Sequence, residues 1–257
     1  YLRDLTNNKN LPDKIENTSG SITWSLDSRS FFYSKLDKFH RPRKIYKHFL
    51  GKAVESDELV FEEKDETFTC SIGLTSDEKY FIISTSDHIT TEEHFFESIS
   101  DEIKPKLFRK RKKDVRYSLD SWGDYFYVHT NENARDYKIL RCKKDSIENL
   151  EEFIPPKKET VIGGLDFLDD YIIRAEKSDA IPKLYVRNIN TNKEEEIKIS
   201  NEPIGVPGAN LMQKDTNTSK IRISWESMAT PGKIFEYDIK KKEKKLVKEV
   251  EIPSGHD

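Results

Sequence analysis

Short apolar runs recur along the chain at a nearly fixed interval. Phe31-Phe32-Tyr33, Tyr80-Phe81-Ile82-Ile83, Tyr125-Phe126-Tyr127-Val128, Tyr171-Ile172-Ile173 and Ile221-Arg222-Ile223 begin 49, 45, 46 and 50 residues apart. Being short and almost continuous, they read as strands packed on both faces, which need not alternate. About a dozen residues after each comes a more alternating segment: Ile45–Phe49, His94–Phe96, Tyr137–Leu140, Leu184–Val186 and Ile234–Tyr237. A third, more charged segment follows at Leu59–Phe61, Leu107-Phe108, Phe153-Ile154, Ile197–Ile199 and Leu246-Val247. A weaker segment precedes each buried run, at Ile22–Trp24, Phe68–Ile72, Val115–Ser118, Val161-Ile162 with Leu165, and near Leu211-Met212. Turn-forming residues separate them: Asp27-Ser28-Arg29, Ser76 to Lys79, Trp122-Gly123-Asp124, Asp169-Asp170, Asn190 to Lys193, Asn217-Thr218-Ser219 and Lys240 to Lys245.

Four strands per unit and a period of 45 to 50 residues predict an all-β chain of β-propeller blades, each a four-stranded antiparallel sheet. Charge on the outer strands keeps their edges from pairing with other chains. The units fall at 20–66, 67–113, 114–159, 160–204 and 205–251. Ahead of them, Leu2–Leu5, a turn at Asn7–Asn10 and Leu11–Ile15 predict the outer two strands of another blade in residues 1–19. The expectation is a single partial propeller of about five and a half blades, with 252–257 opening a linker.

Composition agrees with that picture. A mean hydropathy of -0.79 and 35% charged residues would suit a disordered chain. The 14 Phe, 11 Tyr and 3 Trp do not, and place the aromatics in the inner strands. A net charge of -3 excludes a globally basic nucleic-acid binder. No apolar run approaches the ~20 residues of a membrane span. Two cysteines, Cys70 and Cys142, fit neither a disulfide scaffold nor a zinc site, so a cytoplasmic setting is expected.

An ordered set of motifs resembles the N-terminal propeller of the prolyl oligopeptidase family of serine peptidases, nearest its oligopeptidase B (protease II) branch. The set comprises Trp24-Ser25-Leu26-Asp27 running into Phe32-Tyr33, Arg41-Pro42 with Ile45 to His48 and Leu50-Gly51, and Glu62 to Phe68, the most specific part. It continues with Tyr117 to Asp120, Ile154-Pro155-Pro156, and Ser227 to Pro231 running on to Phe235-Glu236-Tyr237-Asp238. The resemblance covers nearly the whole chain. It implies a seven-bladed propeller followed by an α/β-hydrolase domain with a Ser-Asp-His triad. By that resemblance the first blade and a half are missing, and the hydrolase domain lies beyond Asp257.

The residues themselves carry little sign of catalysis. A hydrolase serine needs a Gly-x-Ser-x-Gly elbow between strand and helix, and the chain has none. Neither His40 with His48 nor His88 with His94 has a metal-ligand spacing, and each reads as a surface or half-buried strand histidine. His256 reads as an exposed linker residue. The run from Lys104 to Lys113, with seven Lys or Arg in ten, reads as a solvated outer strand rather than a nucleic-acid patch. Glu62, Glu63, Asp65 and Glu66 read as an exposed loop between blades, and Cys70 as a buried free thiol.

No catalytic, cofactor-binding or metal-binding residue is therefore assigned, and the chain alone is expected to be inactive. The resemblance implies a domain that gates access of short peptides to a peptidase cleaving after Arg or Lys. Its partners would be the catalytic domain and oligopeptide substrates, with no nucleic acid and no membrane. An alternative is a stand-alone interaction propeller that self-associates through open edges.

Overall fold

A computed structural model describes residues 1–100, 102–200, 202, 206–210, 216–252 and 255. Apart from one short 3-10 turn at Val54–Ser56, its regular elements are all strands. They form a two-stranded hairpin and five four-stranded antiparallel sheets, each the meander expected of a propeller blade. The hairpin is β1 (Arg3–Asp4) with β2 (Lys9–Asn10). The first sheet is β3 (Thr18–Trp24), β4 (Ser30–Leu36), β5 (Pro42–Phe49) and β6 (Glu58–Glu62). The second is β7 (Thr69–Leu74), β8 (Tyr80–Ser86), β9 (Thr91–Glu97) and β10 (Lys106–Arg109). The third is β11 (Tyr117–Trp122), β12 (Tyr125–Thr130), β13 (Lys138–Lys143) and β14 (Glu151–Ile154). The fourth is β15 (Thr160–Leu168), β16 (Tyr171–Ser178), β17 (Ile181–Asn188) and β18 (Glu194–Ile197). The fifth is β19 (Val206–Asn210), β20 (Lys220–Glu226), β21 (Lys233–Asp238) and β22 (Glu243–Glu249).

The buried runs are the second strands, as their continuity requires. Phe31, Phe32 and Tyr33, then Phe81 to Ile83, Phe126 to Val128 and Tyr171 to Ile173 are all buried. The fifth run differs: in β20, Ile221, Ile223 and Trp225 are buried while Lys220, Arg222, Ser224 and Glu226 are exposed. That strict alternation is the period of a sheet with one dry face.

The turns follow from local hydrogen bonding. Ser25 Oγ–H and the Arg29 N–H both donate to Asp27 Oδ1, at 2.6 and 2.9 Å. Thr75 Oγ1–H and the Lys79 N–H do the same to Asp77 Oδ1, at 2.9 and 3.2 Å. Ser28 and Glu78 take the left-handed conformation that closes these turns, with φ of 58° and 56°. Asp238 Oδ1 accepts the Lys240 and Lys241 N–H groups, which closes the hairpin turn up to Lys242; the rest of the expected turn, Glu243 to Lys245, is instead the start of β22.

Local departures from the predicted strands have physical causes. Leu11–Ile15 is not a strand: β2 is only Lys9–Asn10, and the following residues run as coil because Asp13 turns inward to a buried histidine. The first strand of the third sheet starts at Tyr117, two residues late, because Asp114, at φ 66°, turns the chain just before it. Tyr137 lies outside β13 at φ 68°, and Ile199 lies beyond β18. The segment near Leu211-Met212 lies outside the described residues, and the first strand of that sheet is Val206–Asn210.

The chain divides into two compact units, Tyr1–Glu132 with Leu140–Glu151, and Asn133–Ile139 with Glu152–Asp257. The first unit holds two cores. One joins Phe32, Ile45, Cys70, Phe81, Ile83 and Phe96, with the Phe32 and Phe81 rings 4.6 Å apart. The other gathers Phe95, Phe108 and Tyr80 around the fully buried Phe126, at 5.1, 5.8 and 4.9 Å. Each such ring contributes about 1.5–3 kcal/mol by burial, plus edge-on contacts. The second unit packs Leu168, Ile173, Leu184 and Val186 against Ile221, Ile223 and Trp225.

Candidate functional site

In a four-stranded meander, the hairpin between strands two and three and the connector leaving strand four lie at the same end of the sheet. In the first unit that end collects the Asp87–Thr90 hairpin and the Glu63–Phe68 and Lys110–Arg116 connectors. The sequence there is strongly charged, and the structure sorts those charges into a buried frame and an exposed rim.

Arg111 is the centre of the frame. Its Nη2 donates to Glu63 Oε2 at 2.6 Å and to Glu92 Oε1 at 2.9 Å, and its guanidinium lies 4.0 Å from the Phe68 ring centroid. The Arg111 N–H also donates to Glu92 Oε2. Burial opposes the charge on Arg111, yet the two carboxylates outweigh it and hold the guanidinium ionised. Glu63 Oε1 accepts the Asp65 N–H, and Arg43 Nη2 donates to the Glu63 carbonyl at 2.7 Å. Arg41 Nη1 donates to the Glu66 carbonyl at 2.7 Å. Three arginines thus staple the Glu63–Phe68 connector.

This corrects two expectations. Glu63 is buried at 5% exposure, so the acidic cluster is not wholly an exposed loop; Glu62, Asp65 and Glu66 are exposed. Arg111 belongs to a buried ion cluster, so the basic run is not uniformly solvated. Lys106–Arg109 forms the outer strand β10, and Lys104, Lys110, Lys112 and Lys113 are exposed. Lys112 and Arg109 pair with Glu132 at 3.3 and 3.0 Å.

Glu93 sits on the other face of β9. It is 3% exposed, receives one hydrogen bond from Ser84 Oγ–H at 2.6 Å, and burial pushes its pKa up to about 8. Its backbone N–H donates to the Tyr117 hydroxyl, which donates to the Arg109 carbonyl at 2.6 Å. His94, next along β9, is half-buried against Phe61. His40 and His88 are exposed, and His256 lies outside the described residues.

His48 departs furthest from its expected place. It is fully buried, with Nδ1–H donating to Asp57 Oδ1 at 2.7 Å and Nε2–H donating to Asp13 Oδ1 at 3.0 Å. Both ring nitrogens are occupied by carboxylates and the ring is closed to solvent. A His–Asp pair of this kind has no free nitrogen with which to activate a nucleophile. Sequence spacing gave no sign of it, because its partners lie 35 residues before and 9 after. The second unit has its own ion cluster. Arg174, 3% exposed, bonds Glu194 at 2.8 and 2.9 Å and Glu176 at 2.8 Å. Hydrogen bonds from Arg174 hold Glu194 down at about 2.

Among the described residues, no group of three or more His, Cys, Asp or Glu is arranged to hold a metal ion. Cys70 and Cys142 are buried and free, and burial pushes their thiols up to about 12 and about 11. They are protonated at neutral pH and unreactive. Among the described residues, no helix is long and apolar enough to cross a membrane.

The arrangement is that of an ion-paired frame presenting charged loops, and the fold that carries it is found in known proteins. The family described as "prolyl oligopeptidase, N-terminal beta-propeller domain" matches residues 1–250. Protease 2 of Moraxella lacunata is 27% identical over 259 residues, covering all of this chain and 37% of that protein. Dipeptidyl aminopeptidase BI of Pseudoxanthomonas mexicana is 27% identical over 260 residues, covering 100% of this chain and 35% of that protein. The chain therefore spans little more than a third of the length of these curated relatives. Oligopeptidase B from Trypanosoma brucei, in a closed form with covalently bound antipain, superposes with a TM-score of 0.89 at 24% identity, over 96% of this chain and 36% of that one. Oligopeptidase B from Leishmania major gives 0.90 at 20% identity, over 99% and 37%. With the sheets, their order and the family match in agreement, the chain belongs to the prolyl oligopeptidase N-terminal β-propeller family.

Proposed function

We propose that the chain is the non-catalytic propeller of an oligopeptidase B-like serine endopeptidase, which limits access to an α/β-hydrolase domain carried by the rest of the full-length protein. The observation that supports this most is the match of the whole chain to about a third of Protease 2, a peptidase by name. The absence of a Gly-x-Ser-x-Gly elbow supports a non-catalytic role, as does the occupation of both His48 nitrogens. Selection would be steric: short extended peptides pass and folded proteins do not. The reading includes a bacterial, cytoplasmic setting, in keeping with two free buried cysteines.

The test compares the full-length protein, the protein lacking residues 1–257, and this chain alone. Substrates are a dibasic fluorogenic peptide and a folded protein with surface lysines. The full-length protein should cleave the peptide and spare the folded protein, and this chain alone should turn over neither. Peptidase activity that co-purifies with this chain would overturn the non-catalytic assignment. A full-length protein that digests the folded substrate would overturn the gating role.

A further inference from the structure

The segment Leu11–Asn17 connects β2 to β3 without pairing in any sheet. Its ends are fixed by the Leu11 N–H on the Leu2 carbonyl and the Leu36 N–H on the Asn17 carbonyl, and one buried polar group ties down its middle. Asp13, 7% exposed, accepts the His48 Nε2–H at 3.0 Å and the Gly51 N–H at 2.6 Å through the same oxygen. On its other side His48 meets Asp57 Oδ1 at 2.7 Å, while Asp57 Oδ2 accepts the Tyr33 hydroxyl at 2.9 Å. Phe31 covers the imidazole, ring centroids 5.2 Å apart. Asp13 and Ile15 of the segment help line a partly open pocket of about 170 Å³, together with Tyr1, Leu2, Ile22, Phe31 and Tyr33.

The proton count of this site is fixed by chemistry. A neutral imidazole has one N–H and one lone pair. Two carboxylate oxygens at 2.7 and 3.0 Å need two N–H groups, so the closed arrangement requires the imidazolium. With one proton fewer, a buried lone pair would face a buried carboxylate, which is strongly unfavourable unless the pair separates. Asp57 is held by Tyr33 on β4 as well, whereas Asp13 belongs to the unpaired segment. Asp13 is therefore the partner that leaves.

We propose that His48 is a proton-operated latch: as the imidazolium it clamps Leu11–Asn17 onto the first sheet, and on losing its proton it frees the segment and opens the pocket it helps line. The charged and titratable groups facing the ring are Asp13 from the segment, Asp57 ahead of β6, and Tyr33 from β4 through Asp57. Burial opposes the charge on His48, but hydrogen bonds to Asp13 and Asp57 outweigh it and raise its pKa. Burial and the Asp57 bond raise Tyr33, so its hydroxyl remains a donor. A raised histidine stabilises the closed state below its unfolded value near 6.5, and that contribution disappears as pH climbs through the raised value. The latch is closed below the raised value and opens above it.

The test follows hydrogen exchange of the Gly51 backbone amide, which donates to Asp13 Oδ1, in the 257-residue chain from pH 6 to 10, with the intrinsic exchange rate divided out. The His48 imidazole is titrated in parallel by NMR. Above the His48 midpoint, protection of the Gly51 amide should fall about tenfold per pH unit, the slope of a one-proton linkage, while β8 amides stay protected. Asp13→Asn removes one carboxylate and leaves the sheet intact, so the opening midpoint should move to lower pH. Protection that stays flat through the His48 titration would overturn the latch, as would an opening midpoint unchanged in Asp13→Asn.

Discussion

At the scale of single residues, the protein is distinguished by charges placed where water cannot reach them. Glu93 is the sharpest case, a carboxyl with a hydroxyl donor and no cation in its hydrogen-bond shell. Its raised pKa means that the folded state holds a proton that the unfolded state releases above about 4.5. Stability must then decline as pH rises from there to about 8. Glu93→Gln keeps the shape and can still bond Ser84, but cannot ionise. It should raise stability at pH 8 by about 1–3 kcal/mol and leave pH 4 nearly unchanged, as read from urea midpoints at the two pH values. Glu63 gives the opposite sign. Glu63→Gln strips one carboxylate from a largely buried Arg111 and should cost about 1–3 kcal/mol. The figure is below that of a fully dry pair because the Arg111 side chain keeps 24% of its surface exposed. The exposed neighbour change Glu66→Gln should move the midpoint by less than ~0.5 kcal/mol, and an equal loss in both variants would contradict the assigned burial.

At the scale of elements, the four-strand meander and its turns account for most of what the chain does. The buried second strands and the Ser25–Asp27 and Thr75–Asp77 turns are local signals, and they were legible because each is satisfied within a few residues. The misplaced elements are those whose conformation is set from elsewhere: Leu11–Ile15 is coil because Asp13 bonds a histidine on β5. Strand β15 offers a direct test of backbone packing. Its register shifts between Ile162 and Leu165, and a methyl group at Gly163 would meet the Ala175 carbonyl at 2.7 Å. At Gly164 nothing lies within 4 Å. Gly163→Ala should therefore destabilise by about 1–3 kcal/mol, while Gly164→Ala should be neutral or slightly stabilising. Thermal melts of the two variants check this, and equal melting temperatures would argue against the shifted register.

At the scale of the whole molecule, the two best-buried proton sites act in the same direction. Glu93 and His48 are both protonated when folded and both lose stability as pH rises, Glu93 from about 4.5 to 8 and His48 through its raised value. Global stability should fall as pH rises from about 4.5 to about 8, with the His48 part lost as pH climbs through its raised value. Glu93→Gln should flatten only the Glu93 part of that fall, leaving the His48 part. A stability profile that is level across that range would contradict both readings of protonation.

The sequence alone determined the all-β class, the five four-strand units, their period and most strand positions. Each depends on apolar continuity and turn chemistry within a few residues. The family was legible for the same reason, since ordered local motifs carry it. What only the tertiary structure decided is which charged residues leave water. Glu63, Arg111, Glu92, Arg174 and His48 look like ordinary polar residues in sequence. Their burial is tolerable only because partners 9 to 48 residues away supply opposite charge. Solvation is lost locally but repaid at long range, so the decision rests with the packed sheets.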